Sequence, residues 1–177
     1  MRISGNSRRI VVDTNVAKSA SASVHPTSDA CRAVLETMLA QQHQVVLSPM
    51  QYQEWLKHQS GFAKTWLASM LRKKLYVVLR PEPDSGITAR VHQLACTGKA
   101  RYEMLKDVHL LENALATDHA VVSQETNVLA LFTTHAQPLQ IPRPVAWINP
   151  VADKNACVAW LEAGVVVKKV RCIPAGV

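Results

Sequence analysis

Short β-branched runs, separated by longer stretches with helical spacing, are the main pattern of hydrophobic positions in the chain. The first run, residues 10–12, is Ile-Val-Val and too short for a helix, so it predicts a strand buried on both faces, as in a parallel sheet. Further strands are predicted at residues 45–47, 76–79, 120–122 and 145–148. Their alternation with helical patterns predicts an α/β fold of three layers, with a central, mostly parallel sheet flanked by helices.

Helices are predicted where apolar residues recur three and four positions apart. They cover residues 29–42, 62–74, 87–96 and a helix that begins at Asp107, and residues 97–99 are expected to end the third of them. The sharpest boundary is at Ser48, because Ser as N-cap, Pro49 at the first helical position and Gln51 at the third match a capping box. A helix that starts there carries Glu54 near its beginning. The Ser- and Ala-rich residues 18–28 predict a loop.

Length and composition are those of one globular domain. The 177 residues, 48% hydrophobic and 19% charged, are enough to bury roughly two thirds of the unfolded surface. We expect the main domain at residues 1–150, and at residues 151–177 a helix (155–163) and a basic strand or arm (165–171) packed on the same domain. No apolar run reaches the ~18 residues of a membrane span and no signal-peptide core is present, so we expect a cytoplasmic protein without membrane contact.

Positive charge dominates the chain and is clustered. Twenty Lys and Arg against 13 Asp and Glu give a net charge of +7 and an isoelectric point near 9.5, which favours a polyanionic partner. The candidate nucleic-acid contacts are Arg8, Arg9, Arg72, Lys73, Lys74, Lys99 and Arg101, and a further basic cluster is Lys168, Lys169 and Arg171. Each cluster alone is explained by a solvated face. Grouped around a carboxylate crevice, they would instead offset the repulsion between carboxylates and phosphate.

Four carboxylates are predicted to meet at one edge of the sheet. Asp13 directly follows the first strand, and Glu125 follows the strand at residues 120–122. Glu54 and Asp107 lie near the starts of two helices. In open α/β sheets these strand ends and helix starts share the edge where ligands bind. Each acid alone is explained as a turn, cap or solvated helix residue, but together they predict a site.

Carboxylates packed together require a cation, because ionised and unpaired they repel one another strongly. Oxygen ligands favour Mg²⁺ or Mn²⁺, and the four cysteines, which are far apart and form no Cys-x-x-Cys pair, argue against structural zinc. Such ions lower the pKa of a bound water and stabilise the leaving oxygen in phosphodiester cleavage. Thr14, Asn15 and Ser123 are then expected to support the ligands or to hold the phosphate.

A set of motifs in matching order and spacing carries a family resemblance. They are Val12-Asp13-Thr14-Asn15, Ser48 with Glu54, Asp107-x-x-Leu110-x-x-x-Ala114 and Val121-Val122-Ser123-x-Glu125. On these motifs the chain resembles the PIN-domain nucleases over roughly residues 8–150. The resemblance implies a parallel sheet between helices, Mg²⁺ or Mn²⁺ held by the four carboxylates, and hydrolysis of RNA phosphodiesters. The family usually has Asp where Glu125 stands, and the sequence leaves open whether Gln124 or Glu125 fills that position.

Two main functions are expected from these observations. The first is a metal-dependent endoribonuclease, and the resemblance adds the toxin half of a toxin-antitoxin pair, with an antitoxin that blocks the crevice and a homodimer as further partners. The second is a catalytically weak PIN-like module that binds nucleic acid or protein without cutting, an alternative that Glu125 keeps open. Cleavage of DNA rather than RNA is a third possibility. Trp55, Trp66, Trp147 and Trp160 are expected in the core. His109 is expected on the surface, and the alternative is that it approaches the site from the helix start.

Overall fold

The fold is described by a computed structural model that covers residues 7–166 and 172–176. The strands are β1 (Arg9–Val12), β2 (Gln44–Leu47), β3 (Tyr76–Val78), β4 (Ala120–Val122), β5 (Val145–Ile148) and β6 (Cys172–Ile173). The helices are α1 (Thr14–Ser19), α2 (Pro26–Ala40), α3 (Pro49–His58), α4 (Gly61–Arg72), α5 (Ile87–Gln93), α6 (Gly98–Leu115), α7 (Thr126–Thr134) and α8 (Lys154–Glu162). Strands and helices alternate from β1 to β5, as the sequence predicts.

The six strands of the described residues form one sheet in the order β3-β2-β1-β4-β5-β6. Strands β1 to β5 run parallel, and β6 pairs antiparallel with β5. The prediction of an α/β fold with a mostly parallel sheet is therefore confirmed. The chain moves outward from β1 through β2 to β3 on one side, and from β4 to β5 on the other. The connections that leave β1 and β4 diverge at this reversal and open a crevice at their carboxyl ends.

Hydrophobic side chains pack on both faces of the sheet. Ile10 and Val12 of β1 face a cluster with residues of α2, α4 and α8, whereas Val11 faces a second cluster with residues of α5, α6 and α7. All three side chains are fully buried, which confirms that this strand is covered on both faces. The four tryptophans also lie in these two clusters, which confirms their predicted core positions. Helices thus form a layer on each side of the sheet.

One helix boundary differs from the sequence prediction and changes the position of a site residue. Residues 97–99 do not end a helix, because α6 begins at Gly98 with Thr97 as its N-cap. The Thr97 hydroxyl accepts a hydrogen bond at 3.2 Å from the amide three residues later. A polar residue next to Gly fits the start of a helix as well as its end, so composition alone did not separate the two. Asp107, predicted at a helix start, is instead the tenth residue of α6.

Two helices occur where the sequence analysis predicted none. Helix α1 and the first turn of α2 occupy part of residues 18–28, so the predicted loop shrinks to the residues between these helices. Helix α7 follows β4 and buries Val128 and Phe132, which are four residues apart. Its Thr and Asn residues are weak helix formers, so packing of this face against the sheet provides most of the stability of α7.

The C-terminal segment returns to the sheet. Helix α8 agrees with the predicted helix at residues 155–163 to within one residue at each end, and its Leu161 is buried in the same cluster as Ile10. Strand β6 then pairs with the outer edge of β5. Most of the predicted basic strand or arm, including Lys168, Lys169 and Arg171, lies outside the described residues.

Buried His43, immediately before β2, connects the sheet to α8. Its Nδ1 accepts a hydrogen bond from the Arg8 amide at 3.1 Å, so its Nε2 carries the proton and donates to the Leu161 carbonyl at 2.9 Å. Burial lowers the pKa of His43, and the nearby charge of Arg8 acts in the same direction, against the Leu161 hydrogen bond. Protonation would place a second ring N–H against the Arg8 N–H, so the folded protein favours the neutral ring.

We predict that His43 makes the protein less stable in mild acid. Its folded-state pKa lies below the unfolded value of about 6.5, so the unfolded chain binds the proton first. The contribution of His43 to stability is therefore present above about pH 6.5 and is lost as the pH falls through that value toward the folded pKa. His43→Gln should lower the free energy of unfolding by about 1–2 kcal/mol at pH 8, through its lost hydrogen bonds. It should lose less stability than wild type between about pH 7 and pH 5.

Urea unfolding at several pH values measures both effects. His58 is exposed at the end of α3, so His58→Gln provides the matched control and should follow the wild-type pH dependence. If His43→Gln shows the same loss of stability in acid as the wild type, then His43 is not the group responsible.

Candidate functional site

Asp13 lies at the centre of the crevice, directly after β1. Its backbone amide donates to the Val122 carbonyl at the end of β4 (2.9 Å), so the pairing of the two strands continues up to this residue. Its side chain caps α1 by accepting from the Asn15 amide at 3.2 Å, and it also accepts from the Ser123 hydroxyl at 2.6 Å. Asp13 is only 7% exposed, and burial raises its pKa although these two hydrogen bonds oppose the rise. Both carboxylate oxygens are thus held in place.

The turn after β4 determines which of the side chains of Gln124 and Glu125 lies in the crevice. The Gln124 side-chain amide is directed at α1, where it donates to the Asn15 carbonyl and the Ser19 hydroxyl, each at 2.9 Å. Glu125 instead accepts from the Asn15 side-chain amide at 3.3 Å, and its backbone amide donates to the Ser123 hydroxyl at 3.0 Å. Glu125 therefore lies with Asp13 in the crevice, whereas Gln124 anchors the turn to α1.

Asp107 has a strongly perturbed pKa. It is 6% exposed, and its Oδ2 is buried without a hydrogen-bond partner among the described residues. Burial and the negative charge of Asp13 raise the pKa of Asp107 to about 7. Glu125 and Glu54 add to this rise, and Lys106 opposes it. The other three acids predicted from the sequence thus all act electrostatically on Asp107, although they come from different parts of the chain.

Glu54 reaches the crevice from α3 with a partly exposed side chain. Its Oε2 accepts a long hydrogen bond from the Thr14 hydroxyl at 3.4 Å and lies 3.9 Å from His109 Nε2. The expectation that His109 is a surface residue is wrong, because it is 8% exposed and neither ring nitrogen has a hydrogen-bond partner among the described residues. The error has the same origin as the misplaced start of α6, which put His109 in a first helical turn instead of the middle of a packed helix.

A buried polar framework positions α3 and α6 on either side of the crevice. The Asn113 side-chain amide donates to the Ser48 hydroxyl and to Gln51 Oε1, each at 3.2 Å. Gln51 in turn donates to the Val12 carbonyl at 2.6 Å, and Trp55 Nε1 donates to the same carbonyl at 3.1 Å. Ser48 is the N-cap of α3 as predicted, but the Gln51 side chain joins this framework instead of returning to Ser48. The framework fixes α3, and with it the base of Glu54, against β1.

The sequence contains a signal for the polar residues of α6 that the sequence analysis missed. His109, Glu112 and Asn113 are spaced so that they share one face of the helix, and all three are buried. A polar face within a stretch that is otherwise almost entirely apolar is unusual for a core helix. In the structure His109 lies near Glu54 of the crevice, whereas Glu112 accepts hydrogen bonds from Ser85 and Thr88 at the start of α5, each at 3.3 Å.

The predicted basic contacts form two groups in the structure. Five of them lie just before β1 or β3 or at the start of β1. They are therefore at the amino ends of the parallel strands, opposite the edge with the carboxylates. They are Arg8, Arg9, Arg72, Lys73 and Lys74. Arg9 forms an ion pair there with Asp118 (2.6 Å). Lys99 and Arg101 lie in the first turn of α6, where Arg101 donates to the Leu94 carbonyl at 2.8 Å. Of the described clusters, only this last one shares an element with a carboxylate of the crevice.

Lys106 is a basic residue of the crevice that the sequence analysis did not select. The charge of Asp107 is the main cause of a raised pKa at Lys106, and Glu125 and Asp13 act in the same direction. The side chain is exposed, in contrast to the buried Asp107 beside it. Lys106 therefore offsets part of the negative charge and presents a cation to solvent at the crevice.

The crevice has negative charge and carboxylate oxygens of the kind that divalent cations bind, but the side chains are not placed around a single ion. The Asp107 oxygen without a partner and the raised pKa values of Asp13 and Asp107 show that the negative charge is not fully compensated. Within the described ranges, no three Asp, Glu, His or Cys side chains stand close enough to hold a metal ion as they are placed. Glu54 and Glu125 have long and only partly buried side chains, so their carboxylate groups are freer to change rotamer than those of the buried aspartates.

Comparisons with known proteins give no family for this chain. A scan of protein-family models, a search of curated proteins and a search of solved structures each find no match. In the part of the chain that the structure describes, no helix combines the length and the apolar character needed to cross a membrane. The functional argument therefore depends on the geometry and charge of the crevice.

We predict that Asp107→Asn stabilises the metal-free protein at alkaline pH. The folded-state pKa of about 7 lies above the unfolded value of about 3.9, so the folded state binds the proton more strongly and charged Asp107 reduces stability above about pH 7. Asparagine has no charge to bury, so the variant should gain roughly 1–3 kcal/mol at pH 8, measured by urea unfolding in EDTA. This gain should shrink as the pH falls from about 7 toward 4.

The control for this prediction is Glu36→Gln, which makes the same chemical change at an exposed position of α2 and should alter stability little. If Asp107→Asn is less stable than the wild type by the same amount at every pH, then ionisation of Asp107 does not lower the free energy of unfolding as we predict.

Proposed function

We propose that this protein is a metal-dependent endoribonuclease of the PIN-domain type. Its proposed metal and catalytic ligands are Asp13, Glu54, Asp107 and Glu125. The observation that carries the proposal is the grouping of buried Asp13 and Asp107 with two glutamates at one edge of a parallel sheet, where burial and the charges of the other three acids raise the pKa of Asp107. Carboxylate oxygens are the side-chain ligands by which enzymes usually hold Mg²⁺ or Mn²⁺. The layers of helices on both sides of the sheet support the PIN resemblance.

In this proposal, the residues of the crevice have different roles in hydrolysis. Asp13 and Asp107 are buried and form the fixed side of the metal site, while Glu54 and Glu125 are the adjustable ligands. A bound Mg²⁺ or Mn²⁺ would supply a water of lowered pKa and would stabilise charge on the leaving oxygen. Lys106 is exposed beside these acids and is suited to attract the phosphate backbone.

Three polar residues support the carboxylates in this proposal. The Ser123 hydroxyl donates a hydrogen bond to Asp13 and accepts one from the backbone amide of Glu125, so it positions two of the acids. Asn15 donates to Glu125 from its side chain and to Asp13 from its backbone. Thr14 donates weakly to Glu54. Groups of this kind orient metal ligands, and their loss commonly costs activity without removing a ligand.

The biological partners in this proposal are RNA as the substrate and Mg²⁺ or Mn²⁺ as the cofactor. The role of a toxin, with an antitoxin protein that blocks the crevice, rests on the PIN resemblance, and so does a homodimer. A cytoplasmic location is the one in which such an enzyme would meet cellular RNA.

A second candidate is a PIN-like module that binds nucleic acid or protein with little or no cutting. One observation favours it: within residues 7–166 and 172–176, no three potential ligands are placed closely enough to hold a metal ion. Glu125, where the family usually has Asp, would then be the departure that weakens the metal site. The two candidates differ in their dependence on metal.

We predict metal-dependent cleavage that Asp13→Asn abolishes. Labelled single-stranded RNA and DNA are incubated with purified protein in Mn²⁺, in Mg²⁺ and in EDTA. RNA cleavage should require the metal, and Asp13→Asn should lower its rate by at least about a hundredfold, because it removes a charged ligand but keeps the shape of the side chain. Glu36→Gln, at an exposed position of α2, should retain full activity.

The same experiment separates the alternatives. Cleavage of DNA in place of RNA would change the substrate but keep the metal site. Protein that binds RNA equally well with Mn²⁺ or EDTA, cuts under no condition and is indifferent to Asp13→Asn would contradict the nuclease proposal and favour the binding module.

A further inference from the structure

A cavity open to solvent lies beside β3, on the other side of α3 from the carboxylate crevice. It has a volume of about 180 Å³ and is lined by side chains of β2, β3, α3 and the end of α4. The lining residues include Leu47, Tyr52, Leu71, Tyr76, Val78 and Arg80. The hydrolysis proposed above does not use any of these side chains.

The cavity exists because the helices cover the face of β3 only in part. Val78 of β3 pairs with Leu47 of β2 in register, so the two side chains share one face of the sheet. Leu47 is buried, whereas Val78 is 46% exposed. Tyr76 lies two residues before Val78 and therefore on the same face. The edge of the sheet thus presents an apolar surface to solvent.

Two tyrosines and one arginine give the cavity the composition of a site for a nucleic-acid base. Tyr52 of α3 and Tyr76 of β3 line it and are 38% and 37% exposed, so a ligand can reach both side chains. Arg80 adds a cation, and no carboxylate is among the described residues that line the cavity. Proteins commonly bind single-stranded nucleic acid by stacking bases on aromatic rings beside cations that attract the backbone. An apolar cavity of roughly 150 Å³ holds benzene, so this one has room for one base.

A phosphate group alone is a poorer fit, because the start of α3 has no free donors to offer it. Glu82 accepts a hydrogen bond from the Met50 amide at 2.6 Å, and the Ser48 hydroxyl accepts one from the Gln51 amide at 3.5 Å. A phosphate bound at the start of a helix would need such amides. The apolar walls and the two rings therefore indicate a base as the group that enters the cavity.

The charge around the cavity argues against a second copy of the chain as its occupant. The basic cluster at residues 72–74 is exposed and directly follows Leu71 at one end of the cavity, and Arg80 lies at the other end. A symmetric contact between two copies would bring these cations together, and they would repel one another. An added peptide strand is also a poorer fit, because β3 has only three residues and offers a short edge. A polyanion with unpaired bases matches both the cations and the rings.

Helix α3 forms the wall between the cavity and the carboxylate crevice. Tyr52 lines the cavity and Glu54 contacts Thr14 at the crevice, since side chains two positions apart on a helix point about 200° apart. Ser48 lines the cavity and also accepts a hydrogen bond from Asn113 in the framework that holds α3 against β1. The two sites are therefore held in a fixed relation, on opposite sides of one helix.

We infer that this cavity binds one unpaired base of a single-stranded RNA whose backbone extends past α3 to the carboxylate crevice. The inference deepens the proposed function and rests on it for the class of ligand, because it assigns recognition of the RNA to Tyr52, Tyr76 and Arg80. Bases within a duplex are stacked and paired, so they do not enter such a cavity without being flipped out. The protein should therefore bind single strands more tightly than duplexes of the same sequence.

Binding of fluorescently labelled single-stranded RNA, measured by anisotropy in EDTA, tests the inference in the absence of cleavage. The variants are Tyr52→Ala and Tyr76→Ala, together with Tyr52→Phe and Tyr76→Phe, which keep the aromatic ring. We expect each alanine variant to weaken binding about fivefold or more, and each phenylalanine variant to weaken it by less than about twofold. Tyr102→Ala removes an exposed tyrosine of α6 outside the cavity, so it is the matched control and should bind as the wild type does.

A second measurement uses the wild-type protein and does not depend on how well a variant folds. Ultraviolet cross-linking to single-stranded RNA that contains 4-thiouridine, followed by mass spectrometry of the digested protein, identifies the peptides next to a base. We expect cross-links to peptides that contain Tyr52 or Tyr76. Cross-links found only in other parts of the chain would overturn the inference. Thermal melting checks that the variants of the binding experiment are folded.

The outcomes separate this inference from the proposed function. If the wild type cleaves RNA in a metal-dependent way that requires Asp13, but Tyr52→Ala and Tyr76→Ala bind RNA as tightly as the wild type, then the nuclease stands and the cavity is not a base site. If the wild type binds no RNA, the inference fails. A dimer that analytical ultracentrifugation detects and that Tyr52→Ala disrupts would instead assign the cavity to a second copy of the chain.

Discussion

The burial of two like charges at one edge of the sheet is the constraint on which the crevice depends. Asp13 and Asp107 are both almost fully enclosed, and the charge of Asp13 makes the ionised form of Asp107 less favourable. The fold compensates them unequally. Asp13 receives the hydrogen bonds of Ser123 and Asn15, while one oxygen of Asp107 receives none from the described residues. The remaining cost must be met by a proton or by a cation, and this gives the site its chemical character.

The elements around the two aspartates are fixed by hydrogen bonds, whereas the two glutamates keep partly exposed side chains. The carbonyl of Val12, the last residue of β1, accepts hydrogen bonds from Gln51 and Trp55 and so ties α3 to the strand that precedes Asp13. Asn113 extends the same framework to α6. The two aspartates are therefore held by the core, whereas the carboxylate ends of the two glutamates remain partly exposed. In the proposed metal site, the glutamates would therefore be the ligands that adjust on binding, and the aspartates would stay in place.

The sequence was most informative where one local signal decided the structure. Ile-Val-Val before Asp13 predicts a strand covered on both faces, and Ser48 before Pro49 predicts a helix start, because few other conformations suit these residues. The sequence failed at Thr97 and Gly98, which suit a helix end equally well. Side-chain positions were not predictable either. Whether Gln124 or Glu125 faces the crevice depends on α1, a helix too short to have a clear sequence pattern.

The net positive charge of the chain and the acidity of its crevice act over different distances. A charge of +7 attracts a polyanion at long range, but Arg9 is paired with Asp118, and the cluster before β3 lies at the edge away from the acids. The crevice itself repels phosphate until its carboxylates are neutralised. Lys106, close to three of these acids, can offset only part of that repulsion. In the proposed nuclease, a polyanion would therefore dock productively only after a divalent cation has neutralised the crevice, so metal binding would precede substrate binding.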